Sequence, residues 1–223
     1  MNPVMHARTA RLVTCLILLS GCAGTSVEAQ DGSAERPQNV ILFLGDGMGV
    51  STVTAARILA GQQAGKLGEE HELSFETFPN VALVKTYNTD SQVADSAGTM
   101  SAIMTGEKTR IGMFGVSANV SQNDCAAALA SELPTLLEEA EDAGHPTGIV
   151  STARITHATP AATYGHTPNR GWEADSVLPA AAVEAGCIDL ARQMIEFDHG
   201  NGIEVMLGGG RAAFLPAGAL DPE

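Results

Sequence analysis

Basic residues are scarce in this sequence. Over 223 residues, 12 Lys and Arg stand against 26 Asp and Glu, which gives a formal net charge of −14. This excess of negative charge argues against general nucleic-acid binding, because a protein that binds phosphate backbones needs a basic face. Apolar residues make up 44% and charged residues 17% of the chain, a balance that excludes collagen, a coiled coil and a disordered chain. The length is sufficient for a sizeable buried core.

Several common signatures are also missing. After the first 30 residues, no apolar run is long enough to span a membrane as a helix. The sequence has no G-x-S-x-G elbow, which disfavours an α/β-hydrolase, and no phosphate-binding P-loop. Any chemistry must therefore come from other motifs.

The first 22 residues are typical of a secretory signal. Arg8 and Arg11 precede an apolar run at 12–19, which is too short to cross a bilayer as a helix. Leu19-Ser20-Gly21-Cys22 resembles a bacterial lipoprotein box, in which Cys22 is acylated and becomes the new N terminus. A weaker small-x-small site at 27–29 is the alternative. We therefore expect an exported protein, periplasmic or anchored to the membrane by a lipid on Cys22.

Cysteine usage beyond this signal is limited to Cys125 and Cys187. Export implies an oxidising compartment, which favours a disulfide between them. Such a bridge would close a loop of about 60 residues and stabilise the fold by roughly 4 kcal/mol through chain entropy. Two buried thiols are the alternative.

Past a small, polar tether at residues 23–37, apolar patterns alternate between strand and helix types. Short apolar runs predict strands, and 3.6-residue spacing predicts helices. In chain order we predict strand 39–44, helix 49–60, strand 81–87, helices 96–105 and 133–143, strand 147–151, helix 177–197 and strand 203–207. The unbroken apolar runs are typical of strands buried on both faces. Strands alternating with helices predict one α/β domain over residues 38–223 with a mainly parallel sheet.

The first predicted strand ends in Gly45-Asp46-Gly47-Met48-Gly49. Ligands of open α/β sheets bind outside the carboxyl ends of strands. A carboxylate between glycines permits close approach of a cation and suits Mg²⁺ or zinc. A Rossmann turn needs a third glycine at the position of Val50, so nucleotide binding is disfavoured. A metal-binding Asp46 and a plain Asp-Gly turn both stay open.

A second motif, Asp95-Ser96-Ala97-Gly98-Thr99, opens the predicted helix 96–105. A serine at a helix N terminus meets free backbone N–H groups and the positive end of the helix dipole, which favour an anion such as phosphate. Asp and Ser are also the usual N-caps, so helix capping is the alternative.

A third loop follows the predicted strand 147–151 and contains His157 and Thr159, with Arg170 farther along. His157 and Thr159 could serve a metal ion, and the Arg170 guanidinium could fork onto a phosphate. Taken singly, a hydrogen-bonded histidine and a surface arginine explain these residues as well.

Taken together, these segments resemble the alkaline phosphatase family. Residues 39–49 resemble the first strand and metal loop of this family, and residues 93–99 resemble its nucleophile signature. Residues 156–160 and 166–170 resemble its magnesium segment and its phosphate-arginine segment. Residues 207–211 resemble a later strand of the family. The resemblance runs in the family's order from about residue 38 to the end of the sequence, and it is closest to the animal-type branch. It implies a three-layer α/β fold around a mainly parallel central sheet.

The resemblance also implies a role for each matching residue. Ser96 would be the nucleophile, near a zinc ion, that becomes phosphoserine, and Arg170 would hold the phosphate oxygens. Asp46 would ligate both zinc and magnesium, Thr159 would ligate magnesium, and His157 would lie in the outer shell of that magnesium. The substrates would be phosphate monoesters, the cofactors Zn²⁺ and Mg²⁺, and the full-length protein a homodimer.

Other positions mark how far the resemblance extends. Cys125 and Cys187 fall where animal-type members of the family have a disulfide. The sequence departs from the family at Met100 and Ser101, which we expect on the buried side of the helix. The zinc ligands that the family takes from its C-terminal half have no counterpart in these 223 residues. We therefore expect a fragment that is inactive by itself.

Two other functions stay open. One is a sulfatase or phosphomutase of the same broad superfamily, although Ala97-Gly98-Thr99-Met100 lacks the C/S-x-P-x-R pattern of sulfatases. The other is a non-catalytic module that binds metal or phosphate, an alternative that the missing zinc ligands favour. A phosphatase assay beside titrations of zinc and phosphate would separate binder from enzyme.

Overall fold

The computed structural model describes residues 39–216, 218 and 219. The chain divides into two units, Met1–Phe43 and Leu44–Glu223, and the helices and strands of the described residues lie in the second. In chain order they are α1 (Val50–Gln63), α2 (Ser96–Thr105), α3 (Cys125–Leu129), α4 (Leu136–Asp142), β1 (Gly148–Arg154), α5 (Ala158–Ala161), α6 (Ala180–Glu184), α7 (Leu190–Ile195) and β2 (Val205–Gly209). Short 3-10 helices cover Ser74–Thr77, Asp175–Val177 and Arg211–Phe214.

Membrane attachment is a prediction for the N-terminal segment. The predicted signal peptide at 1–22, with Cys22, and the tether at 23–37 lie outside the described residues. Within the described part of the chain, no helix is long and apolar enough to cross a membrane. The lipid anchor on Cys22 therefore stays a prediction.

β1 and β2 pair in parallel, which makes the described fold α/β, as the alternating patterns predict. The register pairs Gly148 with Val205, Ile149 with Met206 and Val150 with Leu207, and it shifts before Arg154 pairs with Gly209. Parallel strands need a long crossover connection, and here α5, α6 and α7 lie within it. The predicted strands at 147–151 and 203–207 are confirmed, with slightly later ends.

The main core lies between β1 and the helices α2, α4, α5 and α7. Its buried side chains are Ala97, Met100, Met104, Phe114, Leu137, Ile149, Ile155, Ala158, Ala161, Ala162, Tyr164, Leu190 and Met194. On α2, Ala97, Met100 and Met104 follow helical spacing and so face the core together. Met100 and Ser101 are both buried, as expected. This core holds the N terminus of α2 near α5, which follows the carboxyl end of β1.

Side-chain caps determine where the helices begin. Asp95 caps α2 by accepting a hydrogen bond from the Gly98 backbone N at 3.0 Å. Thr135 and Glu138 form a capping box at α4, in which each side chain accepts a hydrogen bond from the backbone N of the other. Because of this box, α4 begins at Leu136 rather than at the predicted residue 133.

Two predicted strands, 39–44 and 81–87, are absent although both lie within the described range. Their large apolar side chains are exposed, for example Phe43 by 88%, Val81 by 94% and Leu83 by 100%. A strand is stabilised by hydrogen bonds to a neighbouring strand, and the sheet in the described residues contains β1 and β2 alone. These two predictions are wrong. An apolar run indicates that a segment is hydrophobic, but it does not show that another strand is available to pair with that segment. Val150 is likewise 74% exposed, so β1 is not buried on both faces.

The predicted long helix at 177–197 is broken into α6 and α7. Gly186 has a φ of 97°, a left-handed backbone conformation that glycine adopts readily and other residues avoid. Asp189 then caps α7 by accepting from the backbone N of Arg192 at 3.0 Å. The apolar pattern continues through both helices, so periodicity alone did not reveal the break.

A disulfide joins Cys125 to Cys187, whose Cα atoms lie 5.9 Å apart. Both cysteines pack in a small buried cluster with Trp172 and Ala182. The bridge ties the start of α3 to the turn after α6 across 62 residues of sequence. The structure thus contains the disulfide and not the two free thiols of the alternative interpretation.

Candidate active site

Three of the predicted site residues line one cavity of about 400 Å³. Asp46 reaches it from the loop before α1, Ser96 from the first residue of α2, and Thr159 from α5. The walls also include Leu44, Met48, Thr86, Thr99, Met100 and Ile103. Residues that are far apart in the sequence therefore meet beside α5, just after the carboxyl end of β1.

The loop 45–49 is a tight turn that exposes its carboxylate. The Met48 backbone N donates to Gly45 O at 3.1 Å, and Gly47 has a φ of 65°, which favours glycine. The exposed Asp46 carboxylate accepts a hydrogen bond from Thr159 Oγ1 at 2.9 Å. The structure contains both an Asp-Gly turn and a carboxylate at the cavity, so the two interpretations of this motif are compatible.

Asp46 and Thr159 fit a hard cation in part. A carboxylate and a hydroxyl are oxygen donors, which Mg²⁺ prefers. Zinc sites need three or four protein ligands. Among the described residues, no group of three or more His, Cys, Asp or Glu side chains is arranged to hold a metal ion. The donors present fit part of a magnesium shell, whereas a zinc site cannot be completed from them.

Ser96 is half-buried, and the residue before it, Asp95, anchors several elements. Asp95 Oδ1 accepts from Asn88 Nδ2 at 2.9 Å and from Gly98 N at 3.0 Å, while Oδ2 accepts from Gly112 N and Arg170 Nη1, both at 3.0 Å. Burial raises the pKa of Asp95, but these hydrogen bonds outweigh burial and hold the pKa below its ordinary value. Asp95 therefore stays ionised and binds Arg170 from the position just before Ser96.

Arg170 has a second side-chain partner in His157. Arg170 Nη2 lies 3.1 Å from His157 Nε2. A guanidinium only donates, so His157 Nε2 is the acceptor of this hydrogen bond. The Nδ1 of His157 is buried and has no hydrogen-bond partner among the described residues. Arg170 does not itself line the cavity, and it is connected to the cavity through Asp95, which does.

The partners that hold Arg170 were missed at the sequence level. The sequence predicts Asp95 only as a helix cap, and it predicts no role for Asn88 or Gly112. Gly98 carries the one available signal, because an ideal Cβ at this position would lie 2.7 Å from Asn88 Oδ1. A glycine within a predicted helix indicates a close approach of this kind.

Residues 37–223 match the alkaline phosphatase protein family. The chain is 52% identical over 186 residues to the tissue-nonspecific alkaline phosphatase of Gallus gallus, covering 83% of this chain and 36% of that protein. It is 49% identical over 198 residues to an alkaline phosphatase of Gadus morhua, covering 89% and 41%. It is 46% identical over 198 residues to the tissue-nonspecific isozyme of Homo sapiens, covering 89% and 37%. The chain thus spans between 36% and 41% of the length of these curated relatives.

Solved structures of bacterial enzymes have a similar fold. Alkaline phosphatase from the Antarctic bacterium TAB5 aligns with a TM-score of 0.55 at 27% identity, covering 79% of this chain and 41% of that chain. The cold-active alkaline phosphatase of Shewanella sp. aligns with a TM-score of 0.55 at 29% identity, covering 78% and 36%. Because the family match covers residues 37–223 and these relatives are 46–52% identical over most of the chain, the chain belongs to the alkaline phosphatase family.

Proposed function

We propose that this protein hydrolyses phosphate monoesters through a covalent phosphoserine on Ser96. Membership of the alkaline phosphatase family supports this class of reaction. The observation that carries the assignment is the position of Ser96, which shares a cavity with Asp46 and Thr159 and follows Asp95, the partner of Arg170. Ser96 and the candidate metal donors Asp46 and Thr159 share this cavity, and Asp95 connects Arg170 to it.

Ser96 supplies the attacking oxygen in this mechanism. Its Oγ forms a bond to phosphorus and loses its proton to solvent, while the bond from phosphorus to the leaving oxygen breaks and the alcohol takes up a proton. Water then cleaves the phosphoserine, which restores the hydroxyl and releases phosphate. The first turn of α2 and the Arg170 guanidinium stabilise negative charge on the nonbridging oxygens.

The metal ions belong to the same proposal. Asp46 would hold magnesium and contact zinc, Thr159 would hold magnesium, and His157 would lie in the outer shell of the magnesium. The 2.9 Å hydrogen bond between Thr159 and Asp46 supports a shared oxygen site. Zinc bound at the complete site would supply positive charge beside the Ser96 hydroxyl and so favour its deprotonation.

The activity is assigned to the complete protein. The chain spans 36–41% of the length of three curated relatives, and its described residues hold no complete zinc ligand set. We propose that the missing zinc ligands come from sequence beyond these 223 residues. The 223-residue chain by itself is then expected to lack zinc-dependent phosphatase activity, because losing most ligands weakens zinc binding by orders of magnitude.

The first test replaces the nucleophile. In the complete protein with zinc and magnesium, we expect Ser96→Ala to abolish hydrolysis of p-nitrophenyl phosphate, because the covalent step needs the hydroxyl. Phosphate binding, measured by isothermal titration calorimetry, should persist, since Arg170 and the helix N terminus hold the anion. Ser176→Ala, at an exposed serine distant in sequence, is the matched control and should retain full turnover.

Two outcomes would contradict the assignment. A phosphorylated enzyme trapped at low pH in Ser96→Ala would mean that another residue is the nucleophile. A complete, zinc-loaded wild-type protein that binds phosphate without hydrolysing the ester would identify a binding module rather than an enzyme.

A further inference from the structure

His166 belongs to a buried cluster that the mechanism above does not use. Its side chain is 14% exposed. Nδ1 lies 2.8 Å from Gly115 O, and Nε2 lies 2.7 Å from Glu138 Oε1. Both partners are acceptors, so each ring nitrogen needs a hydrogen, and this geometry requires an imidazolium. A neutral ring would leave one of the two acceptors facing a lone pair.

The charges around His166 favour that imidazolium. Burial lowers the pKa of His166, but the hydrogen bond and charge of Glu138 outweigh burial, with help from the Gly115 carbonyl and the charge of Glu132. The pKa of His166 therefore lies above its ordinary value. Burial also raises the pKa of Glu138, and the imidazolium of His166 more than reverses that effect. The pair stays ionised because each partner compensates the buried charge of the other.

The remaining charged neighbours come from α4 and from the loop after α7. His199 Nε2 lies 3.8 Å from Glu138 Oε1, and His199 Nδ1 lies 3.0 Å from Asp142 Oδ2. His199 is more exposed than His166, and its hydrogen bond to Asp142 raises its pKa. Acid and base thus alternate through this network, with His166 as its most buried base.

The backbone beside His166 leads directly to Arg170. Phe114 and Thr167 exchange antiparallel backbone hydrogen bonds of 3.2 and 2.9 Å, and the Arg170 backbone N donates to Gly112 O at 2.8 Å. Residues 166–170 therefore run against residues 112–115. On the other side, the Gln193 side chain accepts from the His166 backbone N at 2.8 Å.

Residues 112–115 also contact the helix that carries the nucleophile. The Gly112 backbone N donates to Asp95 Oδ2 at 3.0 Å, and the Gly115 backbone N donates to Ser101 Oγ on α2 at 3.1 Å. An ideal Cβ on Gly115 would lie 2.6 Å from His166 Nδ1, so glycine is required for the imidazole to approach this closely. The segment thus connects His166 at one end with Asp95 at the other.

We propose that the imidazolium of His166 is a positioning residue for Arg170: by binding Gly115 and Glu138 together, it holds residues 112–115, and through them Arg170, against α2. The inference rests on the proposed role of Arg170 in binding phosphate. His166 does not line the cavity and acts through this segment. When it loses its proton, one of its two hydrogen bonds is lost, and Arg170 is held less firmly.

The pH dependence has a definite sign. A histidine whose pKa is raised by folding stabilises the structure fully below its ordinary pKa of 6.5, and this contribution is lost as the pH rises through the raised value. The positioning effect is therefore present at pH 6.5 and disappears at more alkaline pH. A structural contribution that did not depend on the charge would stay constant over the same range.

The first experiment follows Trp172, which is buried and lies two residues after Arg170. In the complete protein, the fluorescence of Trp172 is obtained as the difference between the emission with Trp172 present and the emission after Trp172→Phe. As the pH rises from 6.5, we expect this signal to change in the wild type, to change at lower pH in Glu138→Gln, and to stay constant in His166→Gln. Far-UV circular dichroism verifies that the fold persists. If the Trp172 fluorescence of His166→Gln changed with pH in the same way as that of the wild type, the proposal would be overturned.

The second experiment measures the dissociation constant of inorganic phosphate by calorimetry. At pH 6.5 we expect His166→Gln to raise Kd about tenfold, since a hydrogen bond to a charged group is lost. The ratio of its Kd to that of the wild type should fall towards one as the pH rises, and the ionisation of phosphate itself cancels in this ratio. His145→Gln, at an exposed histidine just after α4, is the matched control with an expected ratio of one throughout.

The outcomes separate this inference from the proposed function. If Arg170→Ala also leaves Kd unchanged, the proposed role of Arg170 fails. If Arg170→Ala weakens binding while His166→Gln binds like the wild type, or with a Kd ratio independent of pH, only the positioning role is overturned. Should His166→Gln not fold, Glu138→Gln carries the test, and an unchanged Kd and titration midpoint in that variant would overturn the proposal.

Discussion

Arg170 illustrates how single residues in this site depend on their neighbours. Its guanidinium donates to Asp95 at 3.0 Å and to His157 Nε2 at 3.1 Å, and its side chain is 31% exposed. A guanidinium has five N–H donors, so these two bonds leave others free to bind phosphate. If Arg170 binds phosphate as proposed, the same donors would contact the bound substrate and the transition state, so the loss of Arg170 should affect substrate binding more than turnover.

We expect Arg170→Ala in the complete protein to raise KM for p-nitrophenyl phosphate by about tenfold or more, with a smaller fall in kcat. Steady-state kinetics at fixed zinc and magnesium provides the measurement. Arg192→Ala is the control, because Arg192 on α7 forms an exposed i,i+4 ion pair with Glu196, the residue just after this helix. A KM that is unchanged by Arg170→Ala would remove Arg170 from the phosphate site.

Among the secondary-structure elements, α2 and α3 begin with the same kind of cap but differ in what the cap holds. Asp124 accepts from the Ala127 backbone N at 3.0 Å and caps α3. Asp95 caps α2 and, in addition, binds Asn88, Gly112 and Arg170. Asp95 and Asp124 both make a capping hydrogen bond, but only Asp95 makes the additional contacts. Comparing the two replacements therefore separates the stability due to the cap from that due to the additional contacts.

We expect Asp124→Ala to lower the free energy of unfolding by about 1 kcal/mol, the usual value of an N-cap. Asp95→Ala should cost about 3 kcal/mol, because it also leaves the partly buried Arg170 guanidinium and two backbone donors without their acceptor. Urea denaturation of the complete protein measures both losses. Equal losses would mean that the Asp95 network contributes nothing beyond the cap.

The Asp95 contribution also has a pH dependence. Its pKa is lowered by folding from an ordinary value of 3.8, so its stabilising effect is present above that value and is lost as the pH falls through the lowered one. The difference between wild type and Asp95→Ala should accordingly shrink in strong acid and stay constant from neutral to alkaline pH.

How well the elements could be predicted depends on where their signals lie. α2 and α4 have caps and periodic apolar residues within a few positions, so the sequence alone locates them closely. The predicted strand at 81–87 has a suitable apolar run but is exposed, because strand formation needs a partner from elsewhere in the chain. The break at Gly186 depends on its positive φ of 97°, which an apolar pattern in the sequence does not indicate.

For the whole molecule, we propose export, a lipid anchor on Cys22 and a homodimeric full-length protein. The Cys125–Cys187 disulfide is compatible with an oxidising compartment. The formal charge of −14 is compatible with a cation-rich or saline medium. These features support export.

We expect cells that make the full-length protein to incorporate labelled palmitate at Cys22. Cys22→Ser should abolish the label, because acylation needs this thiol at the new N terminus. Cys15→Ser is the matched control, since Cys15 lies in the apolar run that the signal peptidase removes, and it should label like the wild type. Absence of label from the wild type would favour cleavage near Ala29 and a protein without a lipid anchor.

The sequence by itself was sufficient for the family, the α/β class and the helices α2 and α4, and it indicated Asp46, Ser96, Thr159 and Arg170 as candidate site residues. These features depend on short motifs whose side chains and backbone preferences lie close together in the chain. Only the tertiary structure revealed that Asp95 holds Arg170, that Thr159 binds Asp46, and that His166 is clamped between Gly115 and Glu138. Each of these contacts joins residues separated by 28 to 113 positions. Such pairs form because packing brings distant segments together, and no local pattern in the sequence specifies which donor will meet which acceptor.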